Sequence, residues 1–135
     1  MSRIHLSKAD VTSLEEEYVL DAMRSGWIAP VGPHVDAFEV EMAERIGVHG
    51  ALAVTSGTAA LHLGLLGLGA RPGTVVVLPT MTFAASANAI KYTGAEPVFV
   101  DSQISDGNID PVLLIDAVDT LLTEGTTIAA VMTVS

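Results

Sequence analysis

Apolar residues in the first fifty positions recur at intervals of three and four, with acidic residues between them. This spacing is typical of amphipathic helices and predicts two of them, over Asp10–Arg24 and Val35–Ile46. Gly26 and Gly47 follow the two runs and are typical helix stops. The segment between them, Trp27–Pro33, carries two prolines and the only tryptophan, and we predict a loop there.

From residue 51 onwards, short apolar runs alternate with longer helical ones. β-Branched runs bounded by glycine, proline or polar residues predict strands at Ala51–Thr55, Thr74–Leu78, Pro97–Asp101 and Ile128–Val134. The segments between them predict helices near Gly57–Leu68, Phe83–Tyr92 and Pro111–Leu122. Apolar strands joined by helices indicate an α/β fold with a mostly parallel sheet, covered on both faces. Such sheets bind ligands beyond the carboxyl ends of their strands.

Composition narrows the possible partners. Half of the 135 residues are hydrophobic, enough for one core, and 16 acidic against 6 basic side chains give a net charge of −10. With so few cations, we expect no nucleic-acid partner. The absence of cysteine and of any histidine pair at i, i+4 argues against a metal site. Without an apolar signal segment or a run of roughly 18 apolar residues, we expect a cytoplasmic protein with no membrane partner.

The most informative local motif is Ser56-Gly57-Thr58, between a predicted strand and a predicted helix. Ser56 is suited to capping the helix, while Gly57 and the small residues after it let a ligand approach the first free backbone N–H groups. These groups and the helix dipole attract an anion, and the Thr58 hydroxyl adds a donor. A phosphate monoester would fit here, although a capped turn with no ligand has the same sequence.

A second candidate follows the strand predicted at Thr74–Leu78. Phe83 lies at the same predicted edge of the sheet, where its ring could stack on a flat heterocycle. Packing of this ring against the sheet is the interpretation that the local sequence favours. Thr82, directly before it, could cap the next helix.

Six strings occur in order along the chain: Gly26–Pro33, Phe38-Glu39, Ser56–Leu63, Pro79–Ala89, Pro97–Asp101 and Asn108–Pro111. Together they resemble the N-terminal part of the DegT/DnrJ/EryC1/StrS aminotransferases, from about residue 4 to the last residue. The variants at Trp27–Pro30 and Phe99–Ser102 are most similar to the branch of exopolysaccharide and glycan pathways. The resemblance implies part of the large domain of a fold-type I transferase that depends on pyridoxal 5'-phosphate (PLP), with three αβα layers.

The resemblance also implies activity and site residues. Members of the family aminate keto-sugars attached to nucleotides, and the full-length protein is expected to do so with glutamate as the donor. Seven residues receive roles: Gly57, Thr58 and Ala59 hold the cofactor phosphate, Phe83 stacks on the pyridine ring, and Trp27, Ile28 and Ala29 contact the sugar nucleotide. Residues 1–34 would form an N-terminal helix and interface loop, and residues 35–135 a partial PLP-binding domain. The family's site is shared between two subunits, which implies a homodimer.

Two residues that do the chemistry in this family are expected beyond Ser135: the aspartate that pairs with the pyridine nitrogen and the lysine that forms the Schiff base. We therefore expect a fragment without activity of its own. Lys91 lies about 12 Å along its predicted helix from Phe83 and is expected to be a solvated surface residue, and Lys8 is no better placed. Asp101 ends a predicted strand at the ligand edge, and we expect a structural role for it.

Three other hypotheses remain. Some relatives use the same scaffold for sugar dehydration, with a histidine in place of the Schiff-base lysine. A natural short protein that binds a partner or a nucleotide without catalysis would be monodisperse and colourless. An unrelated phosphate-binding α/β domain, such as a flavodoxin-like unit, would take up FMN, although the hydroxyl-rich phosphate loop expected there is missing.

Overall fold

The computed structural model describes residues 9–134, and the chain divides into two compact units between Ala53 and Val54. The elements in chain order are α1 (Ser13–Ser25), α2 (Pro33–Ile46), α3 (Gly57–Gly67), β1 (Thr74–Pro79), α4 (Ala84–Thr93), β2 (Glu96–Val100), α5 (Pro111–Thr123) and β3 (Thr127–Val131). None of the helices in this part of the chain is long and apolar enough to cross a membrane. The domain boundary expected after residue 34 stays a prediction.

The first unit contains α1 and α2. α1 begins at a capping box: the Thr12 hydroxyl accepts a hydrogen bond from the N–H of Leu14 at 3.2 Å, and the Glu15 carboxylate accepts one from the N–H of Thr12 at 2.6 Å. The hydrogen bonds from the side chain and backbone of Thr12 lower the pKa of the Glu15 carboxyl. α2 begins with Pro33, whose fixed φ suits the first helical position.

The second unit is built on a parallel sheet with the strand order β2-β1-β3. The central strand β1 pairs with β2, where Leu78 lies beside Phe99, and with β3, where Val77 lies beside Val131. Val76, Val77 and Leu78 have no exposed surface. A strand that is buried on both faces has no polar alternation, which is why β1 is apolar at every central position.

The core of this unit lies between one face of the sheet and a pair of helices. α3 and α4 pack against each other, and α5 packs against β2 and β3. The buried cluster combines side chains from α3, β1 and α4: Leu65, Val76, Leu78, Ala89 and Ile90. These contacts confirm the predicted α/β fold with a parallel sheet. They also place the ends of β1, β2 and β3 at one edge, where ligands bind in sheets of this kind.

One predicted strand is wrong, because Ala51–Thr55 forms no strand in the structure. The N–H of Ala53 donates to Glu39 Oε1 on α2 at 2.8 Å. This backbone donor is thus bonded to a side chain and not to a neighbouring strand. The other three strands and the five helices are confirmed to within a few residues at their ends. The last strand, for example, ends at Val131 and not at Val134.

Candidate functional site

The turn that leads into α3 has the geometry of an anion site. Ser56 has an extended backbone, and its hydroxyl accepts a hydrogen bond from the N–H of Ala59 at 3.2 Å. Among the described residues, no acceptor forms a hydrogen bond with the N–H groups of Gly57 and Thr58. A Cβ at Gly57 would meet nothing within 4 Å, so the space beside this backbone is open. The turn therefore offers two free backbone donors and the Thr58 hydroxyl at the positive end of a helix dipole.

A cleft of about 340 Å³ lies at the carboxyl edge of the sheet. Its walls are the segments that follow the three strands, and the residues that line it include Met81, Phe83, Asp106, Gly107, Asn108 and Val134. We call this space the carboxyl-edge cleft. The residues that line it do not include Gly57, Thr58 or Ala59.

Phe83 is 78% exposed and forms part of the cleft wall. The alternative that its ring packs in the core is therefore wrong. The backbone explains the exposure, because Phe83 is the N-cap of α4 with φ −68° and ψ 144°, and the helix begins only after it. An exposed ring at this edge is available for stacking on a flat ligand.

The opposite wall of the cleft is a short hairpin after β2. The N–H of Asp110 donates to the carbonyl of Asp101 at 2.9 Å, and the N–H of Asn108 donates to Asp106 Oδ1 at 2.9 Å. Gly107 has a φ of 77°, and a Cβ there would lie 3.0 Å from Met81 Sδ. This wall is therefore held by its own hydrogen bonds and packs closely against the segment that carries Phe83.

Asp101 links the exits of β1 and β2. Its carboxylate accepts a hydrogen bond from the Thr80 hydroxyl at 3.1 Å, and the N–H of Thr80 donates to the carbonyl of Val100 at 2.9 Å. The carboxylate thus joins the two segments that carry the cleft walls. This geometry agrees with the structural role expected for Asp101.

Thr82 does not cap α4. Its hydroxyl donates to Ser86 Oγ at 2.7 Å, and the N-cap position of α4 is held by Phe83 without any side-chain hydrogen bond. Ser86 is buried, so this bond ties the residue before Phe83 to the helix interior.

Neither lysine considered from the sequence is placed as a catalytic group. Lys91 forms an ion pair with Glu96 at 2.6 Å, and both side chains are more than half exposed. This confirms the expected surface position of Lys91. Lys8 lies outside the described residues. Within residues 9–134 there is no group of three or more side chains that could hold a metal ion.

The loop predicted at Trp27–Pro33 lies in the first unit and joins α1 to α2. The N–H of Trp27 donates to Ser25 Oγ at 3.2 Å. Trp27 and Ile28 are both mostly exposed. Contact of Trp27, Ile28 and Ala29 with a sugar nucleotide stays a prediction.

Sequence reasoning missed the other residues that line the cleft, above all Met81, beside Phe83, and the Asp106–Asn108 turn on the opposite wall. A signal was present, because Asp106-Gly107 is a turn dipeptide shortly after a predicted strand. In a parallel sheet, such a turn must lie at the same edge as the segment after the neighbouring strand.

Solved structures share this fold. The structure of Spr1654 from Streptococcus pneumoniae in its PLP form matches with a TM-score of 0.78 at 37% identity, over 86% of this chain and 29% of that one. The fold is that of the N-terminal part of the large domain of fold-type I PLP-dependent transferases.

The chain belongs to the DegT/DnrJ/EryC1/StrS aminotransferase family, whose model matches residues 9–135. It is 44% identical over 133 residues to EpsN from Bacillus subtilis, whose name assigns it provisionally to the pyridoxal phosphate-dependent aminotransferases; the match covers 98% of this chain and 34% of EpsN. It is 47% identical over 102 residues to a GDP-perosamine synthase from Escherichia coli O157:H7, covering 76% of this chain and 28% of that protein. The chain thus spans about a third of the length of these relatives.

Proposed function

We propose that the full-length protein is a PLP-dependent aminotransferase. It would transfer an amino group from glutamate to a keto-sugar nucleotide in polysaccharide or glycan biosynthesis. Family membership over residues 9–135 supports the reaction class, and the likeness to a GDP-perosamine synthase supports a sugar nucleotide as the acceptor. The observation that carries the proposal is the exposed ring of Phe83 at the carboxyl edge of a parallel sheet.

The turn at Ser56–Ala59 fits the phosphate of PLP. Two free N–H groups, on Gly57 and Thr58, and one hydroxyl can each donate to a phosphate oxygen without a lysine or arginine nearby. The N–H of Ala59 already donates to Ser56 Oγ, so any contribution of Ala59 would be a shared hydrogen bond.

When bound, PLP supplies the electron sink that amino transfer requires. The residues of this chain would hold and orient it. Phe83 would cover one face of the pyridine ring and exclude water from it. Lys91 is engaged with Glu96 and does not serve as a proton carrier in this proposal.

Trp27, Ile28 and Ala29 would contact the sugar nucleotide from a loop at the interface of a homodimer, and the enzyme would act in the cytoplasm. Exposed apolar and aromatic side chains on this loop support a binding role.

Assay of the full-length protein with PLP, glutamate and a panel of nucleotide-linked keto-sugars tests the proposed function. We expect 2-oxoglutarate and an amino-sugar nucleotide in equal amounts, detected by mass spectrometry. A keto-sugar nucleotide lighter than the substrate by one oxygen atom, in which a hydroxyl has been replaced by hydrogen and no amine gained, would instead identify a dehydratase. Absence of any PLP uptake, or uptake of FMN in its place, would reject the proposal.

Replacing Phe83 by alanine should weaken PLP binding about tenfold, because loss of a stacked ring costs about 1 kcal/mol or slightly more. Titration followed by PLP absorbance measures the change. Phe83→Tyr should keep the affinity, since it keeps the ring. Phe99→Ala is the control, because Phe99 is 51% exposed but lies on β2 and does not line the cleft. Equal losses in the two alanine variants would contradict a stacking role.

A further inference from the structure

Ser86 is a polar residue on the buried face of α4. This face consists of Ser86, Ala89, Ile90 and Thr93, at the helical spacing of three and four residues. Ala89 and Ile90 have no exposed surface, and Ser86 is 4% exposed. A hydroxyl in such surroundings lowers stability unless it forms a hydrogen bond, so the partner of Ser86 indicates its role.

Two hydrogen bonds of Ser86 enclose Phe83. Ser86 Oγ accepts from the Thr82 hydroxyl at 2.7 Å, and the N–H of Ser86 donates to the carbonyl of Phe83 at 3.0 Å. The first bond holds the residue before Phe83, and the second holds the carbonyl of Phe83 itself. All three residues lie in the second unit. Phenylalanine has no side-chain acceptor with which to cap α4, so the side-chain bond at this end of the helix joins Thr82 to Ser86.

Thr93, the other buried hydroxyl on α4, has a different set of partners. Its hydroxyl donates to the carbonyl of Ile90 at 2.7 Å and accepts from the N–H of Ala95 at 3.2 Å. These bonds stabilise the C-terminal end of the helix. The hydroxyls of Ser86 and Thr93 thus act at opposite ends of α4, and the bond of Ser86 is the one that adjoins Phe83.

The segment that carries Phe83 is held on both sides. On one side, the Thr80 hydroxyl donates to the Asp101 carboxylate at 3.1 Å. On the other side, Thr82 is bonded to Ser86. Adjacent Cα atoms are only about 3.8 Å apart, so a shift of Thr82 passes directly to Phe83. The direction of the Phe83 side chain follows from its backbone, and the two bonds to Ser86 hold that backbone at φ −68° and ψ 144°.

We infer that Ser86 is a positioning residue for the ring of Phe83. It acts through Thr82 and does not touch the cofactor, because it is buried and does not line the carboxyl-edge cleft in the described part of the chain. Thr82 does line the cleft, so its bond to Ser86 joins the cleft wall to the interior of the unit. This inference rests on the proposed function, since it assumes that Phe83 stacks on the pyridine ring.

Titration of the full-length protein with PLP, followed by absorbance, tests the inference. Ser86→Ala should bind PLP about fivefold more weakly, because alanine fills nearly the same space but leaves the Thr82 hydroxyl without its partner. The loss should not exceed the loss in Phe83→Ala, since Ser86 acts through that ring. Thr82→Val removes the other partner of the same bond and should give the same loss. Thr82→Ser keeps the hydroxyl and should restore the affinity.

Thr93→Val is the matched control, because it removes a buried hydroxyl from the other end of the same helix. In denaturant unfolding of the apoprotein, it should lose at least as much stability as Ser86→Ala, while its PLP affinity stays within about twofold of the unmodified protein. The visible circular dichroism of bound PLP reports on side chains packed against its ring. At saturating PLP, this signal should weaken in Ser86→Ala and in Phe83→Ala, but not in Thr93→Val.

Double variants separate positioning from a general loss of stability. In the Phe83→Ala background, Ser86→Ala should cause no further loss of PLP affinity, because the ring through which it acts is absent. A further loss of similar size in that background would overturn the inference, as would unchanged affinity in Ser86→Ala or an equal loss in Thr93→Val. If Ser86→Ala does not fold, Thr82→Val decides, because Thr82 is only partly buried.

Failure of the proposed function gives a different result. If Phe83→Ala binds PLP as well as the unmodified protein, the inference is wrong together with the stacking role of Phe83. If the unmodified protein takes up no PLP, the proposed function is wrong and the inference with it. Weakened binding in Phe83→Ala with normal binding in Ser86→Ala and Thr82→Val would overturn the inference alone.

Discussion

Replacing Thr58 by aspartate should lower the affinity of the full-length protein for PLP at least about 100-fold while leaving its fold intact. The phosphate of PLP carries close to two negative charges at neutral pH. A carboxylate about 5 Å from it, at an effective dielectric constant of about 40, adds about 3 kcal/mol of repulsion, which corresponds to a factor of more than 100.

The same substitution should not harm the helix. Thr58 is the second residue of α3, and the first turn of α3 contains no acidic residue. Aspartate in a first turn stabilises a helix by about 0.3–1 kcal/mol through the helix dipole. We therefore expect PLP affinity to fall in Thr58→Asp while the stability of the apoprotein rises or stays constant. A destabilised fold cannot produce that combination.

Absorbance titration with PLP and thermal unfolding of the apoprotein measure the two quantities. Thr58→Ser keeps the hydroxyl and should bind PLP within a few-fold of the unmodified protein. Val112→Asp introduces the same charge at the second position of α5, where the side chain is exposed, and should leave PLP affinity unchanged. If Thr58→Asp bound PLP within about threefold of the unmodified protein, the phosphate would have to be held elsewhere.

The part of the fold that could be predicted from sequence is the part that local patterns determine. β1 was recognised because a strand buried on both faces is apolar throughout, as Val76, Val77 and Leu78 show. The segment at Ala51–Thr55 has a similar pattern but forms no strand. In the structure, the N–H of Ala53 in this segment donates to the Glu39 carboxylate, fourteen residues earlier, and no local pattern contains that contact.

In the candidate site too, local sequence predicts some features and not others. The Ser56 cap was predicted from the residues alone, because capping is a local interaction. The exposure of Phe83 was not, since whether a ring faces the core or a cleft depends on where α4 begins relative to the sheet. The wall at Asp106–Asn108 also escaped prediction. Its contact with Met81 joins two segments brought together only by the pairing of β1 with β2.

Gly94→Ala should destabilise the protein by about 3 kcal/mol, which is the largest loss of stability that we expect from a single added methyl group. Gly94 ends α4 with a φ of 83°, and its N–H donates to the carbonyl of Lys91 at 3.0 Å. A non-glycine residue in this left-handed conformation costs about 1–2 kcal/mol. The new Cβ would also lie 2.7 Å from Pro72 Cγ and 2.9 Å from Pro72 Cδ. A proline ring cannot rotate away, so the backbone must shift, at a further cost of about 1–3 kcal/mol.

Gly125→Ala separates the two causes. Gly125 directly follows Glu124, the C-cap of α5, and has a φ of 74°. A Cβ at Gly125 would meet nothing within 4 Å. Gly125→Ala should therefore lower the free energy of unfolding only by the cost of the left-handed backbone conformation, about 1–2 kcal/mol. Denaturant unfolding measures the loss of stability in each variant. We attribute the larger loss in Gly94→Ala to the contact with Pro72. The double variant Gly94→Ala, Pro72→Ala should recover most of that difference, because the rigid ring is gone. Equal losses in the two single variants, or no recovery in the double variant, would show that contact with Pro72 does not limit residue 94.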